Sequence, residues 1–293
     1  MNNFHAQVKI YEQRQKHKIE KLERFFGMSM ADTIKQYKLP TYILYIIDDN
    51  EKGLRTKYPN IHKNILSCAH AADQRTPLQY AKDIALSWIF ETYVMQNLQK
   101  VGLELERNGG DKNYDFLQGT DVSSDSDFKV GGRRLELICN YTDYWTQHNC
   151  IDLRESKAKH LYQSNSLVLG ITLDQPYCLL INFAKYLPNE YIPEYPPFGG
   201  KSAHRILITD DMKIDIDFNQ IANKINYILT SQESETRLLN FGYQQQVNSY
   251  FIKCDACKIP LFFKKEEETY LKQCPKCKRK FTSVLEVNHD RKN

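Results

Sequence analysis

The chain has 293 residues, of which 41% are hydrophobic and 26% charged, and its formal net charge is +4. This length and apolar content suit one large or two modest domains with buried cores. No apolar run approaches the roughly 18 residues of a membrane helix, and the N-terminus lacks the pattern of a secretory signal. We therefore expect a soluble cytoplasmic protein without a membrane partner.

Residues 1–75 are predicted to form a helical N-terminal region. Apolar residues at helical spacing predict helices over 4–26 and 30–37, and a polar stretch follows Pro40. Basic residues outnumber acidic ones in this region and again over 254–282. That distribution fits a polyanionic partner such as nucleic acid, and it fits ordinary solubilising charge equally well.

The strongest helix signal comes next, because Thr76 suits an N-cap, Pro77 the first helical position and Gly102 the exit. After Gly102 the hydrophobic period changes from about 3.6 to 2, which predicts strands. We expect hairpins in DFKVGGRRLELI and SLVLGITLDQPYCLLINF, helices in IDLRESKAKHLY and NQIANKINYIL, a Pro-rich loop in LPNEYIPEYPPFGGK and a strand in HRILIT. This mixture indicates an α/β or α+β domain over about 76–235.

Two acids flank the first predicted hairpin. The Gly-Gly dipeptide between two extended runs predicts a two-residue turn with positive φ at both positions. In that register Asp127 lies opposite Glu136, with Cβ atoms about 5 Å apart, whereas the alternatives Asp121 and Asp125 do not. A divalent cation would remove the repulsion, since Mg²⁺ prefers carboxylate oxygens. The sequence therefore predicts a magnesium site here, unless both acids simply face solvent.

An aspartate, a turn and a glutamate on the next strand resemble the PD-(D/E)XK nuclease family, which includes many restriction endonucleases. The resemblance covers about residues 76–185 and implies a restriction-endonuclease-like mixed sheet flanked by helices. It further implies that Asp127, Glu136 and the carbonyl of Ile138 hold Mg²⁺. The implied activity is hydrolysis of phosphodiester bonds in double-stranded DNA, and many such enzymes act as homodimers.

The family's Glu-x-Lys tripeptide reads Glu-Leu-Ile in this chain, so Ile138 stands where the lysine is expected. In IDLRESKAKHLY, the spacing of Leu153, Lys157 and Leu161 predicts one stripe of a helix, which places Lys157 on the inward face. Family members are known to move catalytic side chains onto neighbouring helices, so Lys157 is the expected replacement. The alternative is a lysine whose ammonium group lies in water.

Two further residues are implied by the same resemblance. Family members often carry a glutamate near the metal on the helix before the catalytic strands, and Glu91 in LSWIFETYV matches that position. A plain surface glutamate is the alternative. Arg154, close to Lys157 in the chain, is expected to contact a DNA phosphate.

The C-terminal cysteines are spaced C-x2-C-x16-C-x2-C and resemble a zinc ribbon over 250–284. Four thiolates complete a tetrahedral site with no open position, so the expected zinc is structural. Basic residues interleaved with aromatic ones around the second pair suit a DNA backbone, although ribbons also dock proteins. The predicted zinc ligands are Cys254, Cys257, Cys274 and Cys277, and the predicted DNA contacts are Lys276, Lys278, Arg279 and Lys280.

Three functions remain open from the sequence. The first is a magnesium-dependent DNA endonuclease, most simply a type II restriction enzyme with a ribbon that aids DNA binding. The second is a mobile-element or repair nuclease that recognises DNA structure. The third is a non-catalytic nucleic-acid-binding protein with a decayed nuclease core, which Ile138 favours and Lys157 opposes.

Overall fold

The structure, a computed structural model, describes residues 2–68, 75–117, 125–185 and 188–230, together with the backbone of two strands over 249–253 and 260–264. Side chains are described from residue 10 to residue 230 within these ranges. None of the helices in this part of the chain is long and apolar enough to cross a membrane.

In the described part of the N-terminal region there are five helices, two of them at the predicted places. The polar stretch after Pro40, where the sequence predicts no helix, forms the other three. The apolar run YILYII forms one of them and buries Ile43 and Ile46, and Asn50 caps the next by accepting a hydrogen bond from Gly53 N at 2.9 Å. The bounds are α1 Asn2–Phe26, α2 Met30–Gln36, α3 Tyr42–Ile47, α4 Glu51–Lys57 and α5 Pro59–Cys68.

Helix α6, Pro77–Lys100, is central to the fold. Thr76 and Gln79 form a reciprocal capping box at its start, as the N-cap signal predicts. Its buried side chains, Trp88 among them, pack both against the N-terminal helices and against the sheet. The first core is therefore shared by α1–α6, one sheet face and the C-terminal helix α9, Phe218–Thr230.

Within the described ranges the main sheet is mixed and has the strand order β1-β2-β3-β5-β6-β9. Strands β3 and β5 are parallel, and the other neighbours are antiparallel. A second, antiparallel sheet has the order β4-β8-β7, and β10 pairs with β11. The bounds are β1 Leu105–Arg107, β2 Phe128–Val130, β3 Arg133–Asn140, β4 Cys150–Arg154, β5 Leu167–Thr172, β6 Tyr177–Asn182, β7 Glu190–Tyr195, β8 Lys201–Leu207, β9 Lys213–Asp215, β10 Ser249–Lys253 and β11 Pro260–Lys264.

A second core fills the space between the other face of the main sheet and the second sheet. Two short helices belong to this side, α7 Tyr144–His148 and α8 Glu155–Gln163. The chain is therefore mixed α/β, with a mixed sheet flanked by helices, as expected. The predicted domain boundaries stay predictions, and all four predicted zinc ligands lie outside the described residues.

Both predicted hairpins are present. In the first, Phe128 pairs with Leu135 and Val130 with Arg133, as the two-glycine turn predicts. Gly131 and Gly132 have φ values of 52° and 78°, a left-handed conformation that favours glycine. The turn thus sets the register that brings the two acids to the same end of the hairpin.

Two other expectations are wrong in part. The predicted helix IDLRESKAKHLY begins only at Glu155, because residues before it form β4, whose Ile151 and Leu153 pair with β8. Leu153 therefore belongs to a strand and not to a helical stripe. The predicted Pro-rich loop contains β7, an edge strand in which Pro193 precedes a bulge, a position where a missing N–H is tolerated.

Candidate active site

Strand β3 places alternate side chains on the face that α8 covers. On that face Lys157 Nζ forms an ion pair with Glu136 Oε1. One turn later in α8, His160 Nε2 accepts a hydrogen bond from Arg134 Nη1 at 2.8 Å. Lys157 lies in the first turn of α8 and is 35% exposed, so it is anchored by Glu136 but open to solvent.

Asp127 and Glu136 form the acid pair of this site. Their carboxylates lie within hydrogen-bonding reach of each other, directly after the pair Phe128–Leu135 of the first hairpin. Asp127 Oδ2 also accepts a hydrogen bond from Leu137 N at 2.8 Å. Glu136 is only 6% exposed, and its Oε2 is buried without a hydrogen-bond partner. The two acids therefore meet in space just beyond the last β2–β3 pair, and Oε2 of Glu136 has no donor in the described structure other than a proton held by the acid pair.

Burial makes both carboxylates of the acid pair hard to ionise. It raises the pKa of Glu136 to about 8, with a further contribution from the neighbouring Asp127 and an opposing one from Lys157. Burial also raises the pKa of Asp127, although the hydrogen bond from Leu137 N opposes this. The pair therefore holds protons that an added positive charge would displace.

Glu91 of α6 lies in the same electrostatic environment but has its own partner. Arg107 Nη2 of β1 donates a hydrogen bond to Glu91 Oε2 at 2.6 Å. Burial, followed by the charge of Asp127, holds the pKa of Glu91 well above its ordinary value. Arg107 is itself fixed by stacking on the Tyr114 ring, 4.5 Å from its centroid. Glu91 thus interacts electrostatically with the acid pair and has Arg107 as its hydrogen-bond donor, while its role at a metal stays a prediction.

The backbone ligand predicted at Ile138 can be weighed against its neighbour Leu137. Strand β2 pairs with β3 only as far as Leu135. Beyond that residue, the backbone groups on the β2 side of β3 face the Asp127 side chain instead of a strand. The N–H and C=O groups of one strand residue point to the same side. Since Leu137 N–H reaches Asp127, the carbonyl of Leu137 faces the acid pair, while Ile138 faces its parallel neighbour Gly170 on β5. We therefore favour the carbonyl of Leu137 as the third oxygen, and a ligand at Ile138 stays a prediction.

The remaining predicted residues lie elsewhere. Arg154 ends β4 with an exposed side chain over the Phe198 ring, 5.5 Å from its centroid. Asp125 forms an ion pair with Arg134 at 3.4 Å and is 43% exposed, whereas Asp121 is outside the described residues. So are the predicted ribbon residues Lys276, Lys278, Arg279 and Lys280.

Sequence reasoning missed the residues that surround the acids. Arg134 could have been found, because it lies two positions before Glu136 on the same strand face. Arg107 and Asp111 follow no such pattern, since both come from the segment ERNGGDKNYD, which has no helical or strand period. Asp111 accepts a hydrogen bond from the indole of Trp88 and contributes to the raised pKa of Glu91.

The donor set fits a divalent cation. Mg²⁺ is usually held by one or two carboxylates, with waters and substrate phosphates completing its shell. Asp127, Glu136 and the Leu137 carbonyl supply such a set, and the unsatisfied Oε2 of Glu136 is the atom that a cation would complete. No group of three or more His, Cys, Asp or Glu side chains arranged to hold a metal occurs in the described part of the chain.

Stability of the metal-free protein is expected to fall as the pH rises. Because the pKa of Glu136 is raised from 4.5 to about 8, the folded protein binds more protons than the unfolded chain between these values. This contribution is complete below about pH 4.5 and is lost as the pH passes through about 8. Mg²⁺ should therefore raise the melting temperature more at pH 8.5 than at pH 6. Equal shifts at both pH values, measured by calorimetry against EDTA, would contradict a cation bound to the acid pair.

No family model matches the chain, and the search of curated proteins finds no match.

Proposed function

We propose that the protein is a magnesium-dependent DNA endonuclease of the type II restriction class, which hydrolyses phosphodiester bonds. One observation carries the proposal: Lys157, on a helix, pairs with Glu136 beside Asp127. The two acids and the lysine of the PD-(D/E)XK pattern thus meet in space although Ile138 replaces the strand lysine. A lysine that only covered apolar surface would not need to contact the buried acid of the pair.

Asp127, Glu136 and the Leu137 carbonyl are the residues that would hold Mg²⁺. When bound, the ion supplies Lewis acidity toward the phosphodiester and a lowered pKa of its water. Asp127 is positioned by its bond to Leu137 N, so the spacing between side-chain and backbone oxygens is fixed before any ligand arrives. Such preorganisation avoids reorganisation cost during the reaction.

Lys157 acts as the movable positive charge in this proposal. In the absence of a cation it is the charged partner of Glu136, which is buried and otherwise short of donors. A cation held by Glu136 would take over that role and release the ammonium group. Because Lys157 is 35% exposed, it can then turn toward a phosphate oxygen and stabilise the charge that develops there.

Cleavage of mixed duplex DNA tests the proposal. The purified protein is incubated with Mg²⁺ or with EDTA, and the products are separated by length. Discrete fragments that form only with Mg²⁺ are expected. Intact DNA that shifts on a gel would instead favour the binding-only function that Ile138 suggests, and preferential cutting of branched DNA would favour a repair or mobile-element nuclease.

The C-terminal cysteines should bind one zinc ion per chain. Their spacing supports a ribbon with Cys254, Cys257, Cys274 and Cys277 as ligands, all outside the described residues. Elemental analysis of purified protein is expected to give one equivalent, and Cys274→Ser to lose it. Cys68→Ser is the matched control, because this buried cysteine of α5 belongs to neither pair. Full zinc in Cys274→Ser would reject the site.

A further inference from the structure

Arg134 lies two residues before Glu136 on β3, and its side chain likewise contacts α8. Each side chain faces α8, and each has a partner there, His160 for Arg134 and Lys157 for Glu136. Residues two apart on a strand are separated by about 6.6 Å. That distance is comparable with the separation of neighbouring phosphates along one nucleic-acid strand. The face therefore presents a cation-binding acid and, one step away, an arginine.

The charges around Arg134 leave it able to receive an anion. Its partner on α8 is an imidazole whose pKa is lowered by burial, by Arg134 itself and by Lys157. Its acid partner Asp125 is exposed and lies 3.4 Å away, a weak pair in water. Arg134 is 34% exposed, so a ligand can reach it. Lys157 differs, because its ammonium group already contacts the buried Glu136.

We propose that Arg134, held in place by His160, binds the DNA phosphate next to the scissile phosphate on the same strand. This inference rests on the proposed function and specifies the substrate contact of that site. Guanidinium groups suit the task because their planar fork matches phosphate oxygens. The acceptor nitrogen of His160 fixes one side of the fork and leaves other N–H groups for the ligand. His160 is therefore a positioning residue.

Salt dependence of DNA binding provides the first test. Binding of a fluorescent duplex oligonucleotide is measured by anisotropy in EDTA across a salt series, so that no cleavage intervenes. Loss of one phosphate contact lowers the slope of log K against log salt by about 0.9. We expect this decrease for Arg134→Gln and no change for Lys159→Gln. Lys159 is the matched control because it lies on the same helix and pairs with Glu155 at 2.7 Å.

A second variant covers the case in which Arg134→Gln does not fold. His160→Glu places a carboxylate against Arg134 and should cause the same loss of slope. A folded Arg134→Gln or His160→Glu protein with the wild-type slope would overturn the inference, as would an equal loss in Lys159→Gln. If the wild-type protein cuts DNA and the variants keep the wild-type slope of log K against log salt, only this inference fails. If the slope falls in a protein that never cuts, the phosphate contact stands and the endonuclease proposal fails.

The register along the DNA has its own test. Once the cut position is mapped, a neutral methylphosphonate is placed at the phosphate on either side of the scissile one. Wild-type binding should weaken at one of these two positions, and Arg134→Gln should be indifferent to the same change. Equal sensitivity of wild type and variant at both positions would overturn the assignment to a neighbouring phosphate.

Discussion

Glu136→Gln is expected to reduce magnesium-dependent DNA cleavage by roughly 10³-fold or more. The glutamine keeps the shape of the side chain but removes one of the two carboxylates that would hold the ion. Oε2 of Glu136 is buried without a hydrogen-bond partner, and after the substitution Asp127 is the one carboxylate of the acid pair that remains for the ion. Cleavage rates are measured in a Mg²⁺ titration from about 1 to 50 mM. The midpoint reports the affinity for the ion, and the plateau reports the rate at saturation, so that lost affinity and lost rate are separated.

The same substitution should stabilise the metal-free protein at high pH. Glu136 ionises only when the pH passes about 8, and below that value the folded protein gains from holding its proton. That contribution disappears at higher pH, where the ionised acid is buried beside Asp127. A glutamine cannot ionise, so the variant avoids a cost of the order of a few kcal/mol. Lys157 loses its partner, but it is 35% exposed and can be hydrated.

Opposite effects on activity and stability distinguish a site residue from a structural one. Melting temperatures in EDTA are compared at pH 6 and pH 9, where wild type should lose more stability than Glu136→Gln, which keeps only Asp127 and Glu91 as buried acids with a raised pKa. Glu106→Gln is the matched control, because Glu106 lies on β1 with an exposed side chain. A variant that is inactive and also less stable at pH 9 than wild type would show that Glu136 acts mainly as a structural partner of Lys157.

Local rules were sufficient for the hairpin that carries the acids. A two-glycine turn fixes the register of β2 and β3, and the alternation of side chains then decides which residues share a face. Capping rules likewise located α6, which carries Glu91. These features depend on residues within a few positions of one another. The register of the first hairpin, the strand face of Glu136 and the helix that carries Glu91 could therefore be predicted from the sequence.

Long-range pairing decided the features that were missed. The segment before Lys157 reads as a helix by spacing, yet it pairs with β8 about fifty residues later and becomes β4. Lys157 still faces Glu136, because α8 starts at Glu155 and its side chains reach β3. The inward direction of Lys157 could thus be predicted, but from a helical stripe whose first member, Leu153, belongs to a strand. The Arg107–Glu91 pair joins β1 to α6 and has no periodic signal at all.

The lysine of the site is expected to work from β3 as well as from α8. Lys157→Ala should lower cleavage by about 10²- to 10³-fold, because no ammonium group then stabilises the developing charge. Ile138→Lys in the same chain should recover at least about tenfold, since residue 138 shares the strand face of Glu136 and is half-buried at the edge of the second core. Rates are measured at saturating Mg²⁺ and pH 9, where ionisation of Glu136 no longer limits binding.

Recovery in the double variant would mean that the lysine is required for its charge and position and not for the element that carries it. Lys159→Ala is the control for loss of a positive charge on α8, because Lys159 pairs with Glu155 away from the acid pair. Wild-type cleavage by Lys157→Ala would remove Lys157 from the mechanism. A folded double variant no faster than Lys157→Ala would show that the ammonium group must come from α8, since the backbone of β3 would then aim a lysine at the wrong side of Glu136.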